Sequence, residues 1–157
     1  MPPIEAGQPV PAFTLPRDGG GETGPGDFPG RKLVLFFYPK DDTSGCTTEA
    51  IGFTARITEF DAANTVVLGI SKDSVKSHDK FRDKHGLKVI LLSDETGAIV
   101  ERFGVWVEKS MYGRKFMGVE RSTFLIDKTG RIARSWRKVR VPGHAEEVLA
   151  AARVLAK

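Results

Sequence analysis

Cys46 is the only cysteine in the chain, and it is the side chain best suited to attack an electrophilic oxygen or sulfur. A thiolate attacks where a thiol does not, so the chemistry depends on what holds the sulfur ionised. The run Pro39-Lys40-Asp41-Asp42-Thr43-Ser44-Gly45-Cys46 leads from an apolar stretch into a helical pattern, which places Cys46 in the first turn of a helix. Unpaired backbone N–H groups and the positive end of the helix dipole favour an anion there. Thr43, three residues earlier, is near enough to hydrogen-bond the sulfur or a small oxygen-bearing substrate, or else to cap the helix. Gly45 permits close backbone approach, and Pro39 stiffens the strand exit and shields the sulfur from water. The lack of a second cysteine excludes an internal disulfide, a Cys-x-x-Cys redox pair and a four-thiolate zinc site. The plain alternative is a small, inert core residue, a common use of free cysteine.

The elements that must position these groups are legible from pattern. Residues 16–30 carry Pro16, Gly19, Gly20, Gly21, Gly24, Pro25, Gly26, Pro29 and Gly30, which predicts a loop or loose hairpin. Leu33 to Tyr38 is a continuous apolar run, as in a strand buried on both faces, and Pro39 ends it. Ala50, Phe53, Ile57 and Phe60 recur at helical spacing, and Thr65 to Ser71 reads as a second buried strand. A helix capped by Asp73 or Ser74 ends at Lys84-His85-Gly86, followed by a strand at Val89 to Leu92 and a short helix over Glu95 to Phe103. Val105 to Gly118 is a basic and aromatic excursion. Ser122 to Ile126 and Arg131 to Val139 form a hairpin about Asp127-Lys128-Thr129-Gly130, and Gly143 to Ala156 closes the chain as an amphipathic helix. This order predicts an α/β chain: a thioredoxin-like fold with a central mixed sheet flanked by helices and an N-terminal hairpin extension. Residues 1–157 are expected to form one such domain, since 157 residues with 40% hydrophobic content suit a single core.

Composition narrows the function classes. No apolar run approaches the roughly 20 residues a membrane helix needs, and the N-terminus lacks a secretory pattern, so the expected compartment is the cytoplasm with no membrane partner. A net charge of +4 does not demand nucleic acid. The excess is local: Arg131, Arg134, Arg137, Lys138 and Arg140 follow one another with no acid between, but Ile132, Trp136 and Val139 interrupt them in a strand-like rhythm. A charged sheet edge or face is therefore expected, with no nucleic-acid partner. His78, His85 and His144 are expected at the surface or as caps, with no metal and no cofactor. Trp106 and Trp136 are expected as core or sheet-packing groups. Met111, Tyr112, Phe116 and Met117 either line the approach to the sulfur or pack against it.

Pro39, Thr43 and Cys46 match the P-x-x-x-T-x-x-C motif of peroxiredoxins. The wider text, Phe37-Tyr38-Pro39-Lys40 through Gly45-Cys46-Thr47, resembles the bacterioferritin comigratory, or Q-type, branch. The likeness continues through Gly69-Ile70-Ser71-Lys72-Asp73-Ser74, Leu92-Ser93-Asp94, Arg121-Ser122-Thr123-Phe124 and Gly143-His144-Ala145-Glu146. By this resemblance Cys46 is the attacking sulfur, Thr43 and Arg121 bind the reacting oxygens, Pro39 belongs to the same loop, and Glu49 orients Arg121. Two departures stand out: Ser44 replaces a common proline, and Ile51 occupies the place where many members carry a resolving cysteine. The chain therefore resembles one-cysteine members. The resemblance implies a thiol-dependent peroxidase acting on hydrogen peroxide or an organic hydroperoxide through a Cys46 sulfenic acid. That acid would be resolved by an external thiol such as thioredoxin, glutaredoxin or a low-molecular-weight thiol, the protein being a monomer or weak homodimer. The competing function is a peroxide sensor or thiol-dependent interaction module without efficient turnover.

Overall fold

Apolar runs too long to leave one face in water must be covered on both sides, and the centre of the molecule is built from them. The computed structural model of the chain describes residues 4–155. The Pro- and Gly-rich segment forms a small antiparallel hairpin of β1 (Leu15–Pro16) and β2 (Glu22–Thr23), followed by a 3-10 turn over Pro25–Asp27. The main sheet contains β3 (Lys32–Phe37), β4 (Thr65–Ser71) and β5 (Ile90–Ser93), all parallel. A separate hairpin of β6 (Trp106–Met111) and β7 (Arg114–Val119) forms over the basic and aromatic excursion. β8 (Ser122–Ile126) and β9 (Ile132–Trp136) complete the main sheet in the order β5-β4-β3-β8-β9, with β8 antiparallel to both neighbours. The helices are α1 (Ser44–Ala55), α2 (Ile57–Ala62), α3 (Val75–His85), α4 (Ala98–Arg102) and α5 (His144–Val154).

The alternation of β3 divides the core in two. Val34, Phe36 and Tyr38 face a cluster containing Phe53, Phe60, Phe81, Val148 and Leu149 from α1, α2, α3 and α5. Leu33, Leu35 and Phe37 face Val100, Phe103, Val119 and Phe124. The ring of Phe36 stacks on those of Tyr38 and Phe53 with centroids 5.5 and 4.8 Å away, and each such ring contributes roughly 2–3 kcal/mol on burial. Phe36 lies over Gly69 of β4, where a Cβ would stand 2.7 Å from the ring. Only glycine fits beneath it.

Several boundaries differ from the pattern. The helix expected from Thr43 through Phe60 is two helices: Arg56 leaves helical geometry (φ −113°, ψ 13°) while the three- and four-residue apolar spacing runs on through the break. The last strand stops at Trp136 and does not reach Val139, because Lys138 adopts a left-handed conformation (φ 49°). The short fourth helix starts only at Ala98, after a turn at Gly97. The C-terminal helix ends at Val154, and Ala156 lies outside the described residues. The edge of β9 is not bare: Ile132 exchanges backbone hydrogen bonds with Gly7 and Gln8, and Arg131 donates to the Gly7 carbonyl.

This topology sets the site. Pairing of Phe37 with Ser122 puts the start of β8 beside the end of β3, which is where α1 begins. Arg121 and Cys46 are thus neighbours, although 75 residues separate them in sequence.

Candidate active site

Thr43 holds the N-cap position of α1 in extended backbone (φ −89°, ψ 155°), and its carbonyl accepts the Thr47 N–H at 2.8 Å. Its side chain does not cap the helix. The hydroxyl donates to the Lys40 carbonyl at 2.8 Å, so its oxygen remains able to accept, and the residue is exposed. Pro39 is half-buried at the exit of β3.

Cys46 is 1% exposed and belongs to the helix-side core cluster. A sulfur so enclosed would be inert if its surroundings were wholly apolar. They are not: Arg121 Nη2 donates to Cys46 Sγ at 3.3 Å, and Arg121 Nη1 donates to Glu49 Oε1 at 2.7 Å. The guanidinium reaches the sulfur across Gly45, where a Cβ would stand 3.0 Å from Nη2. Burial opposes the charge of Arg121, but the Glu49 and Cys46 charges and the bonds to both outweigh it, so its affinity for its proton is raised. Burial pushes the Glu49 carboxyl up to about 7 despite the pull of Arg121. The second Glu49 oxygen, Oε2, has no hydrogen-bond partner among the described residues. Three of the five residues marked in the sequence, Cys46, Arg121 and Glu49, are therefore in direct contact. Thr43 and Pro39 lie on the same loop without a hydrogen bond to that trio.

Residues 6–135 match the model of the AhpC/TSA family. A putative peroxiredoxin bcp of Coxiella burnetii is 51% identical over 146 residues, covering 93% of this chain and 97% of that protein. Peroxiredoxin Bcp of Xanthomonas campestris is 48% identical, covering 95% and 94%. The chain belongs to the peroxiredoxin family, in its bacterioferritin comigratory (Q-type) branch. The solved structure of Xanthomonas campestris peroxiredoxin Q superposes with a TM-score of 0.90 at 47% identity, covering 97% of this peroxiredoxin and 99% of that chain. A second structure, of the same organism's bacterioferritin comigratory protein and concerned with its alkyl peroxide reduction activity, has a TM-score of 0.88 at 46% identity, with 95% and 98% covered. The activity is that of a thiol-dependent peroxidase, and with one cysteine the peroxiredoxin is of the one-cysteine type.

A buried polar network pins the loop that carries the motif. Asp41 accepts from Tyr38 Oη at 2.7 Å, from Ser77 Oγ at 2.8 Å and from His78 Nδ1 at 2.7 Å, while its own N–H donates to Asp73 at 3.0 Å. His78 Nε2 donates to the Leu92 carbonyl at 2.9 Å. Burial works against a charge on His78, but the Asp41 bond and charge outweigh it, so its proton affinity is raised. Asp42, in a left-handed conformation, is held by Lys84 and His85 of α3.

Two histidines contradict the surface expectation. His78 is fully buried, and His144, at the start of α5, is buried with Nε2 2.8 Å from Thr123 Oγ1. Periodicity missed them because their polar partners come from distant segments. Burial lowers the His144 proton affinity to about 4, so its imidazole is neutral at pH 7. His85 sits at Asp42 with its side chain 20% exposed, nearer the expectation. No group of three or more metal-ligating side chains occurs among the described residues, and none of their helices is long and apolar enough to cross a membrane.

Of the basic run, Arg134 bonds Glu147 and lies over Trp136, and Arg137 bonds the Phe103 and Gly104 carbonyls. Trp106 packs under Lys72, 4.1 Å from its ring centre. Met111, Tyr112, Phe116 and Met117 are all exposed on the β6–β7 hairpin, Tyr112 at 97%, so they do not pack in the core around the sulfur. Lys109 of β6 is half-buried, with its stem against Gly118, and burial with the repulsion of Arg121 lowers its proton affinity.

Proposed function

We propose that this peroxiredoxin reduces hydrogen peroxide and alkyl hydroperoxides through Cys46, with the oxidised sulfur resolved by an external thiol. The Cys46 thiolate attacks the terminal peroxide oxygen, the O–O bond breaks, and the leaving alkoxide or hydroxide takes a proton. The products are Cys46 sulfenic acid and an alcohol or water. Arg121 stabilises the anionic sulfur before attack and the charge that grows on the departing oxygen. The free lone pairs of the Thr43 hydroxyl accept the hydroperoxide O–H, while Glu49 keeps the guanidinium aimed and Pro39 limits water at the loop. A first external thiol condenses with the sulfenic acid, releasing water and leaving a mixed disulfide. A second thiol then releases Cys46 and departs as the oxidised disulfide.

The observation that carries the reading is the 3.3 Å bond from Arg121 to Cys46 Sγ, since no other cation bonds the sulfur among the described residues. The related Xanthomonas campestris protein, whose structure concerns alkyl peroxide reduction, supports inclusion of alkyl hydroperoxides. A sensor without turnover is not favoured, because the related proteins bear peroxiredoxin names over nearly their whole length. The reading takes the chain as one thioredoxin-like domain, both core clusters lying on faces of one sheet, working in the cytoplasm as a monomer or weak homodimer. Thioredoxin, glutaredoxin and a low-molecular-weight thiol are the candidate reductants. Steady-state peroxide consumption with each in turn tests this: sustained turnover with at least one is expected, and loss of only one equivalent with all three would refute it.

A further inference from the structure

We propose that His78 is a positioning residue for the peroxide reaction: from behind the motif loop it grips Asp41, and through that grip it sets the place of Thr43 ahead of Cys46. This rests on the reading of Cys46 as the attacking sulfur and of Thr43 as the acceptor of the hydroperoxide O–H.

The loop between β3 and α1 closes on itself before the helix begins. Thr43 Oγ1 donates to the Lys40 carbonyl at 2.8 Å, so Lys40 to Thr43 form one turn with Asp41 and Asp42 at its apex. Side chains of α3 hold both apical residues, in two different ways. Asp42 reaches Lys84 at 2.7 Å, but the two side chains are 43% and 62% exposed, and a pair in water holds weakly. Asp41 is buried, and it accepts from Tyr38 Oη, Ser77 Oγ and His78 Nδ1 while its own N–H donates to Asp73. Loss of a partner is costly for a buried charge, so the turn follows Asp41 rather than Asp42.

Of the three donors to Asp41, His78 is the one that spans to another element. Its ring is fully buried, and Nε2 donates to the Leu92 carbonyl of β5 at 2.9 Å. A carboxylate and a carbonyl can only accept, so both ring nitrogens carry hydrogen and the ring is an imidazolium. It thereby braces the turn against the edge strand of the main sheet. Cys46 does not depend on this brace: it packs in α1 with Tyr38, Ala50 and Phe53, and Arg121 reaches it from the start of β8. Releasing Asp41 therefore moves Thr43 and leaves the thiolate in place. A misplacement of about 1 Å in a reacting site can cost about 100-fold in rate.

The test compares two amides. Counted in bonds from Cβ, the amide nitrogen of asparagine stands where Nδ1 stands, and that of glutamine where Nε2 stands. His78→Asn keeps the donor to Asp41 and loses the one to Leu92; His78→Gln does the reverse. The second-order rate of the reduced protein with hydrogen peroxide should fall roughly 10- to 100-fold in His78→Gln and less than about 3-fold in His78→Asn. In both, the pH midpoint of Cys46 alkylation by iodoacetamide should stay within about 0.3 units of wild type. Lys84→Gln, which frees only the exposed Asp42, should react within about twofold of wild type. A wild-type rate in folded His78→Gln overturns the proposal, as does an equal or larger fall in His78→Asn, which would make Leu92 the partner that matters. A midpoint shifted by about a unit in His78→Gln also overturns it, since the effect would then lie on the sulfur. Should His78→Gln not fold, a wild-type rate in Asp41→Asn, which offers one acceptor oxygen in place of two, overturns it. If Cys46→Ser or Thr43→Val consumes peroxide at the wild-type rate, the underlying reading fails instead, and the two failures are told apart.

Discussion

Replacing Arg121 with methionine keeps the aliphatic stem and removes the guanidinium, the group that bonds both Cys46 at 3.3 Å and Glu49 at 2.7 Å. Two unit charges 3.3 Å apart attract by about 5 kcal/mol at an effective dielectric of about 20. The net loss is smaller, because the buried Glu49, deprived of its cation, takes up a proton and so withdraws a negative charge from the neighbourhood of the sulfur. A charge-assisted hydrogen bond in this setting is worth about 1.5–3 kcal/mol. We therefore expect about 2–3 kcal/mol, a roughly 30- to 160-fold fall in the second-order rate with hydrogen peroxide at pH 7. Stopped-flow consumption of peroxide by the reduced protein measures it, with the alkylation profile of Cys46 moving upward in pH in parallel. A folded Arg121→Met variant that reacts within about threefold of the wild type would refute the role given to the guanidinium.

Glu49 supplies a prediction of stability against pH. Its folded-state value is raised from 4.5 to about 7, so the native state binds this proton more tightly than the unfolded chain does. The stabilisation is full below about 4.5 and is lost as pH rises through about 7. Urea unfolding at pH 5 and pH 8 should show wild type losing about 2 kcal/mol relative to Glu49→Gln over that span, and equal slopes would contradict it. His78→Leu leaves a buried Asp41 without its 2.7 Å imidazole partner and should destabilise by about 3–5 kcal/mol in the same assay. Gly69→Ala drives a methyl into the Phe36 ring at 2.7 Å and should cost about 1–3 kcal/mol, read as a lowered urea midpoint.

What the sequence disclosed follows from which forces are local. Thr65–Ser71 and Val75–His85 lie where the pattern puts them, the first because a β-branched apolar run is self-announcing, the second because Ser74 accepts from Ser77 N–H and Gly86 takes the left-handed cap. The break at Arg56 escaped because apolar spacing persists across it. The β6–β7 hairpin escaped because most of its side chains face water and carry no burial rhythm; its marker is the turn at Tyr112 and Gly113, both at positive φ. In the site, the helix-start position of Cys46 was readable from local pattern. The approach of Arg121 was not, since strand pairing brings it in, and only family resemblance marked it. The Tyr38–Asp41–His78 network was invisible for the same reason, His78 being distant in sequence from the other two.

The most direct test of the account is intact-protein mass spectrometry of the reduced protein after one equivalent of hydrogen peroxide, followed by a thiol. We expect a gain of one oxygen on Cys46, conversion to a mixed disulfide with the first thiol, and return to the starting mass with the second. An unmodified Cys46 while peroxide is nonetheless consumed would contradict it.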